Sequence, residues 1–134
     1  MNERRLRILV IDDEPAHLEL LSRGLGFEGF EVAILTGPIG ITHLVRTFQP
    51  DVALVDLHIP GSRGDRVIQL IRNVAPPDIK YFLISSCPES ELRLRALETK
   101  AHGWLSKSLT TQEIAHRIKE ALGKPRGISA NMLA

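Results

Sequence analysis

Residues 8–21 read Ile8-Leu9-Val10-Ile11-Asp12-Asp13-Glu14-Pro15-Ala16-His17-Leu18-Glu19-Leu20-Leu21. The first four are apolar and mostly β-branched, as in a buried strand, and they run straight into three acids. Like charges packed this closely repel one another and stabilise nothing by themselves. Leucines at helical spacing follow at Leu18, Leu21 and Leu25. A strand, an acidic turn and a helix make one unit, and the question is what partners the acids.

Working outward, the same alternation recurs along the chain. Apolar runs at residues 7–11, 31–35, 52–56, 81–85 and 103–105 read as strands. Between them lie helical spacings: Ile41, Leu44 and Val45; Val67, Leu70 and Ile71; Leu92, Leu94 and Leu97; Ile114, Ile118 and Leu122. "FEGFE", "TGP", "PGSRG" and "VAPPD" supply the glycines and prolines of loops. Ser86 with Glu89, and Thr110 with Glu113, have the spacing of capping boxes at helix starts. Five strands alternating with five helices predict a doubly wound α/β domain with a five-stranded parallel sheet. "VALV" and "YFLI" are apolar throughout, as strands covered on both faces should be. Such sheets carry their working groups in loops beyond the carboxyl ends of the strands.

The bulk properties narrow the function. The 134 residues suffice for one domain with its own core, residues 1–122, followed by a tail or linker over 123–134. A hydrophobic content of 43%, a charged content of 25% and a net charge of +1 are ordinary, and no strong overall field points to nucleic acid. A single cysteine, Cys87, excludes an intrachain disulfide. No apolar stretch approaches the roughly 18–20 residues of a membrane helix. The start runs directly from a short charged lead into a strand, unlike a signal peptide, so the expected location is cytoplasmic.

Asp12 and Asp13 follow the first strand and Asp56 ends the third, and these two strands are neighbours in a doubly wound sheet. The three carboxylates therefore converge, and must protonate, spread apart or bind a cation. Hard oxygen ligands suit Mg²⁺ or Mn²⁺, which keep open positions for phosphate oxygens. Lys107 after the fifth strand adds a positive charge, and Ser85 at the end of the fourth adds a hydroxyl. In outline this is a site for an acyl phosphate. Repulsion between anions is the main obstacle to a carboxylate attacking phosphorus, and a cation with an ammonium beside it removes that obstacle.

At this point the chain resembles the receiver domains of bacterial two-component response regulators, over roughly residues 5–122. "ILVIDDEP" is similar to the acidic ending of the family's first strand, and "PDVALVDLHIPGSRG" to its phospho-acceptor strand and following loop. "YFLISS" is similar to the strand ending in a switch hydroxyl, and "KAHGWLSKS" to the lysine-bearing stretch. The separations fit as well, 43 residues from Asp13 to Asp56 and 22 from Ser85 to Lys107. The resemblance implies the flavodoxin-like strand order 2-1-3-4-5. It implies Asp56 as phospho-acceptor, Asp13 as direct metal ligand, Asp12 as ligand directly or through water, and the His58 backbone carbonyl as a further ligand. Ser85 and Lys107 would contact phosphoryl oxygens, and Trp104 would occupy the place of the aromatic that swings inward with Ser85.

Plainer readings stand beside these. The acids before the first helix could serve its cap and dipole, and Glu14 is best left to that task. Lys107 could be a solvated surface lysine, Ser85 a turn residue and Trp104 half-buried packing. His58 and Cys87, each two residues beyond a site residue, could tune phosphoryl lifetime or simply be an exposed imidazole and an inert thiol. Two positions depart from the family's pattern. Ser108 stands where a proline, often after a cis bond, is usual, and Lys100 stands where glycine is common.

The expected function is a Mg²⁺-dependent (or Mn²⁺-dependent) receiver that takes a phosphoryl group onto Asp56 from a sensor histidine kinase or phosphotransfer protein. The face around the fourth helix, fifth strand and fifth helix would then shift toward binding a downstream protein or output domain. A phosphorylation-dependent homodimer is compatible with this; binding of nucleic acid by these residues and membrane contact are not expected. The chain would catalyse only its own phosphorylation and dephosphorylation. The alternative is a receiver-like interaction module that works without phosphorylation, although such modules usually lose an acid, the acceptor or the lysine. A haloacid-dehalogenase-type phosphatase would need a second acid where His58 stands, and "DDEP" would repel the phosphate of a flavodoxin's flavin.

Overall fold

The computed structural model describes residues 5–59, 62–75 and 77–123. In chain order the elements are β1 (Arg7–Ile11), α1 (Pro15–Phe27), β2 (Glu31–Leu35), α2 (Ile41–Phe48) and β3 (Val52–Asp56). The two-residue strands β4 (His58–Ile59) and β5 (Ser62–Arg63) pair antiparallel before α3 (Gly64–Val74). Then come β6 (Lys80–Ser85), α4 (Glu89–Thr99), β7 (Gly103–Ser106) and α5 (Thr111–Gly123). The main sheet has the order β2-β1-β3-β6-β7, every pair parallel, which is 2-1-3-4-5 once the small pair is set aside. The glycines and proline of "PGSRG" predict a loop here, and the small pair is an addition to that expectation. No helix among the described residues is long and apolar enough to cross a membrane.

The strand pleat divides the core into two layers. Ile8, Val10, Val52, Leu54, Phe82, Ile84 and Leu105 face α1 and α5, where Leu18, Leu21, Leu25, Ile114 and Ile118 meet them. Leu9, Ile11, Ala53, Val55 and Leu83 face the other way, toward Ile41 and Val45 of α2, Val67 and Ile71 of α3 and Leu92 and Ala96 of α4. Successive side chains thus serve opposite layers, which is why residues 8–11 of β1 and 52–55 of β3 are apolar at every position rather than alternately. Each fully buried aliphatic side chain contributes about 1.5–3 kcal/mol. The sheet is accordingly a rigid platform for whatever its ends carry.

Helical spacing does not bring every leucine to the core: Leu70, Leu94 and Leu97 are 41%, 58% and 68% exposed. In α4 the stripe that meets the sheet is Leu92 and Ala96, four apart. Leu94, two after Leu92, falls on the opposite side, and Leu97 follows Leu94 at three. The Ser86–Glu89 box does not form either. The N-cap of α4 is Pro88, extended at φ −55° and ψ 144°, with no side-chain cap bond. Proline bars its predecessor Cys87 from helical geometry, so no helix can begin where Ser86 would cap it. The Thr110–Glu113 box does form: the Glu113 N–H donates to Thr110 Oγ1 at 3.1 Å, and the Thr110 N–H to Glu113 Oε1 at 2.9 Å.

Lys100 ends α4 in the left-handed region, at φ +59°. The turn is held by the Ala101 N–H to the Ala96 carbonyl at 2.9 Å, and by Arg72, which donates to the carbonyls of Thr99 and Lys100 at 3.0 and 2.9 Å. The geometry that glycine adopts freely is here imposed on a lysine. Lys100→Gly should therefore stabilise the domain by about 0.5–1 kcal/mol, after the greater freedom of glycine in the unfolded chain is subtracted. Urea unfolding measures this, and a destabilised variant would contradict the account of the turn.

Candidate functional site

The side chains singled out by sequence gather at the carboxyl ends of β1, β3, β6 and β7. Asp12 follows β1 and its N–H donates to the Leu35 carbonyl at 3.1 Å, continuing the sheet by one residue. Asp56 is the last residue of β3 and pairs with Ile84 in register, which puts Ser85 one step beyond it on the next strand. Ser85 in turn stands opposite Ser106, immediately before Lys107, whose N–H donates to the Ser85 carbonyl at 2.9 Å. Parallel pairing in consistent register is what brings residues 12, 56, 85 and 107 to one edge.

At that edge carboxylate oxygens of Asp12, Asp13 and Asp56 lie within 4.8 Å of one another. Asp12 and Asp56 are buried, while Asp13 reaches solvent. The Lys107 ammonium sits among them, 3.1 Å from Asp12 Oδ2, 3.2 Å from Asp56 Oδ2 and 2.8 Å from Glu14 Oε1. Its side chain is only 12% exposed, so the reading of Lys107 as a solvated surface lysine fails. Glu14, left to the helix dipole on sequence grounds, instead spends its carboxylate on Lys107 and makes no side-chain cap bond.

Burial alone would push the Asp12 carboxyl up. Hydrogen bonds from His17, the Glu14 N–H and Lys107 outweigh it and hold the group well below the usual carboxylate range. Burial likewise disfavours the Lys107 ammonium, but Glu14, Asp12 and Asp56 reverse the effect and keep it charged far above neutral pH. Several carboxyl groups thus share one ammonium. A donor set of hard carboxylate oxygens with one side open to solvent fits Mg²⁺ or Mn²⁺.

Ser85 is 1% exposed, and its hydroxyl accepts the Cys87 N–H at 3.1 Å. Trp104 is partly buried against the layer formed with α2, α3 and α4, and its indole Nε1 has no hydrogen-bond partner among the described residues. Cys87 packs against the same layer as a free thiol. The backbone of His58 begins β4, but its side chain, and with it any tuning role, lies outside the described residues, as does the tail from residue 124 onward. None of the described peptide bonds is cis, so Lys107–Ser108 is trans.

The residue that sequence reasoning missed is His17, whose Nδ1 lies 2.5 Å from Asp12 Oδ2. A signal was present: His17 precedes Leu21 by one helical turn, on the side of α1 that faces the sheet, at the end nearest the acids.

The sequence profile of the response regulator receiver domain matches residues 8–119. The DNA-binding response regulator MtrA of Mycolicibacterium smegmatis is 29% identical over 134 residues, covering 100% of this chain and 58% of its own length. The positive alginate biosynthesis regulatory protein of Pseudomonas aeruginosa is 31% identical over 121 residues, which cover 87% of this chain and 47% of that protein. The chain therefore spans about half the length of these relatives. Among solved structures, the signal receiver domain of the putative response regulator NarL from Mycobacterium tuberculosis superposes with a TM-score of 0.76 at 30% identity, over 91% of this chain and 100% of that one. A CheY-like receiver domain from Methanospirillum hungatei gives 0.77 at 24% identity, over 88% and 94%, a likeness of fold.

Removing Lys107 strands buried carboxylates without their ammonium. In metal-free buffer at neutral pH, Lys107→Ala should cost about 3 kcal/mol in urea unfolding, and added magnesium should return part of it. The Asp12 contribution rests on a depressed folded value. It is fully present above the ordinary aspartate value of 3.8 and is lost as pH falls through the lower folded one. The gap between wild type and variant should therefore close in acid, and an unchanged stability at pH 7 would contradict the pairing.

Proposed function

The chain belongs to the response regulator receiver domain family, and from this membership we propose that it accepts a phosphoryl group on Asp56 from a histidine kinase or phosphotransfer protein. The observation that carries the reading is the sharing of Lys107 between buried Asp56 and buried Asp12, with an Asp13 oxygen within 4.8 Å. Mg²⁺ or Mn²⁺ held by Asp12, Asp13 and Asp56, with the His58 carbonyl as a further ligand, would supply the positive charge that lets a phosphoryl group approach a carboxylate.

In this reading an Asp56 carboxylate oxygen forms the new bond to phosphorus as the bond to the donor's imidazole nitrogen breaks. Lys107 turns from its carboxylates to a phosphoryl oxygen. Ser85 gives up the Cys87 N–H and donates its hydroxyl proton to another. Hydrolysis of the acyl phosphate by water returns Asp56, so the chain acts catalytically on itself alone. The movement of Ser85 and Trp104 would bias the face formed by α4, β7 and α5. The exposed side of α4 presents Leu94 and Leu97 beside Arg93, an apolar pair next to charge, suited to a protein partner.

The domain would occupy residues 1–122, with the output supplied by a separate cytoplasmic protein or by further sequence beyond the tail. MtrA, which is named as DNA-binding, is matched over 58% of its own length, so any nucleic-acid contact is assigned to sequence outside the receiver domain.

Incubation with acetyl phosphate and magnesium should add the mass of one phosphoryl group to the wild type and none to Asp56→Asn. Chelation of the metal should abolish the gain. Wild type that stays unlabelled under these conditions would instead favour the phosphorylation-independent interaction module.

A further inference from the structure

Asp12 is wholly buried, and both of its oxygens are engaged. Oδ1 accepts the Glu14 N–H at 2.9 Å, while Oδ2 receives the Lys107 ammonium at 3.1 Å and His17 Nδ1 at 2.5 Å. An ionised carboxylate is acceptor-only, so the hydrogen between Asp12 and the imidazole belongs to Nδ1. That hydrogen is present both in the Nδ1–H neutral tautomer and in the imidazolium, so the contact does not depend on the charge of the ring.

The three donors differ in what else they do. Lys107 also serves Glu14 and Asp56, and in the reading above it leaves for a phosphoryl oxygen. The Glu14 N–H is fixed backbone, and it constrains only Oδ1. His17 sits in the first turn of α1, its side chain is 12% exposed, and Leu18 and Leu21 lock the helix onto the sheet beside it. It is the side-chain donor able to hold Oδ2 once Lys107 has moved.

We propose that His17 is a positioning residue, whose Nδ1–H holds the Asp12 carboxylate in the orientation that receives a divalent cation. This rests on the reading of the acidic cluster as a cation site. An ionised carboxylate offers about four lone-pair positions; with Lys107 gone, His17 and the Glu14 N–H occupy two and leave the others directed by geometry already set. The rotamer is fixed before the cation arrives, so binding does not have to order it. Hydrogen-bond partners of metal ligands act in this way, and their removal typically weakens metal affinity about 10–100-fold.

The test is Mg²⁺ titration by calorimetry on wild type, His17→Leu, His17→Asn and Asp13→Asn, with melting in chelator to establish that each is folded. Asparagine places its amide nitrogen one atom beyond Cγ, where Nδ1 stands, whereas leucine fills similar space without a donor. His17→Leu should bind magnesium about tenfold or more weakly, and His17→Asn should stay within about threefold of wild type. Wild-type binding that Asp13→Asn abolishes and His17→Leu leaves within about twofold would overturn the role of His17 alone. So would His17→Asn as weak as His17→Leu, or either variant binding more tightly. A wild type with no more binding than Asp13→Asn would remove the cation site itself, and this inference with it.

Discussion

The Lys107 ammonium lies 2.8, 3.1 and 3.2 Å from carboxylates of Glu14, Asp12 and Asp56, and Asp13 adds a fourth carboxyl group to the cluster. Buried carboxylates are tolerated only when paired and hydrogen-bonded, and among the described residues the Lys107 ammonium is divided among several of them. The pocket therefore holds, among the described residues, more carboxylates than ammonium groups. It stays folded because the sheet beneath it is apolar on both faces and because His17 and the Glu14 N–H support Asp12 from behind. In the proposed function this same charge distribution favours the entry of a divalent cation and, after it, of a phosphoryl group.

Topology concentrates these groups. Five parallel strands point their carboxyl ends the same way, and the crossover order makes β1, β3 and β6 consecutive neighbours. Residues separated by more than ninety positions, such as Glu14 and Lys107, consequently meet. Ser85 and Lys107, which change partners in the proposed function, lie at the ends of the two strands that lead into and out of α4. In that proposal a rearrangement at the site would reach α4, where Leu94 and Leu97 are exposed, through these two strand ends.

Much of this was legible in the sequence, for identifiable reasons. Asp12, Asp13, Asp56 and Lys107 each follow or end an apolar run, and the rule that parallel sheets work at their carboxyl ends suffices to assemble them. Their separations and flanking residues carried the family resemblance. What was not legible depends on angles that spacing leaves open. Whether Leu92 or Leu94 meets the sheet is decided by the rotation of α4 about its own axis. The pairing of Glu14 with Lys107 is decided by how far a side chain leans from a helix start. His17 looked like one more polar residue in a helix until α1 was seated against the end of β1. The Ser86–Glu89 pattern had the right letters, but Pro88 between them excluded the backbone that the pattern needs.

The central claim is that this carboxylate cluster is a divalent-cation site. Anomalous diffraction from a crystal soaked in manganese tests it most directly. The account predicts a peak within bonding distance of carboxylate oxygens of Asp13 and Asp56, with Asp12 bound directly or through one water and Lys107 drawn away from Asp12. A well-ordered crystal with no peak there, and Lys107 still bridging Asp12 and Asp56, would contradict it.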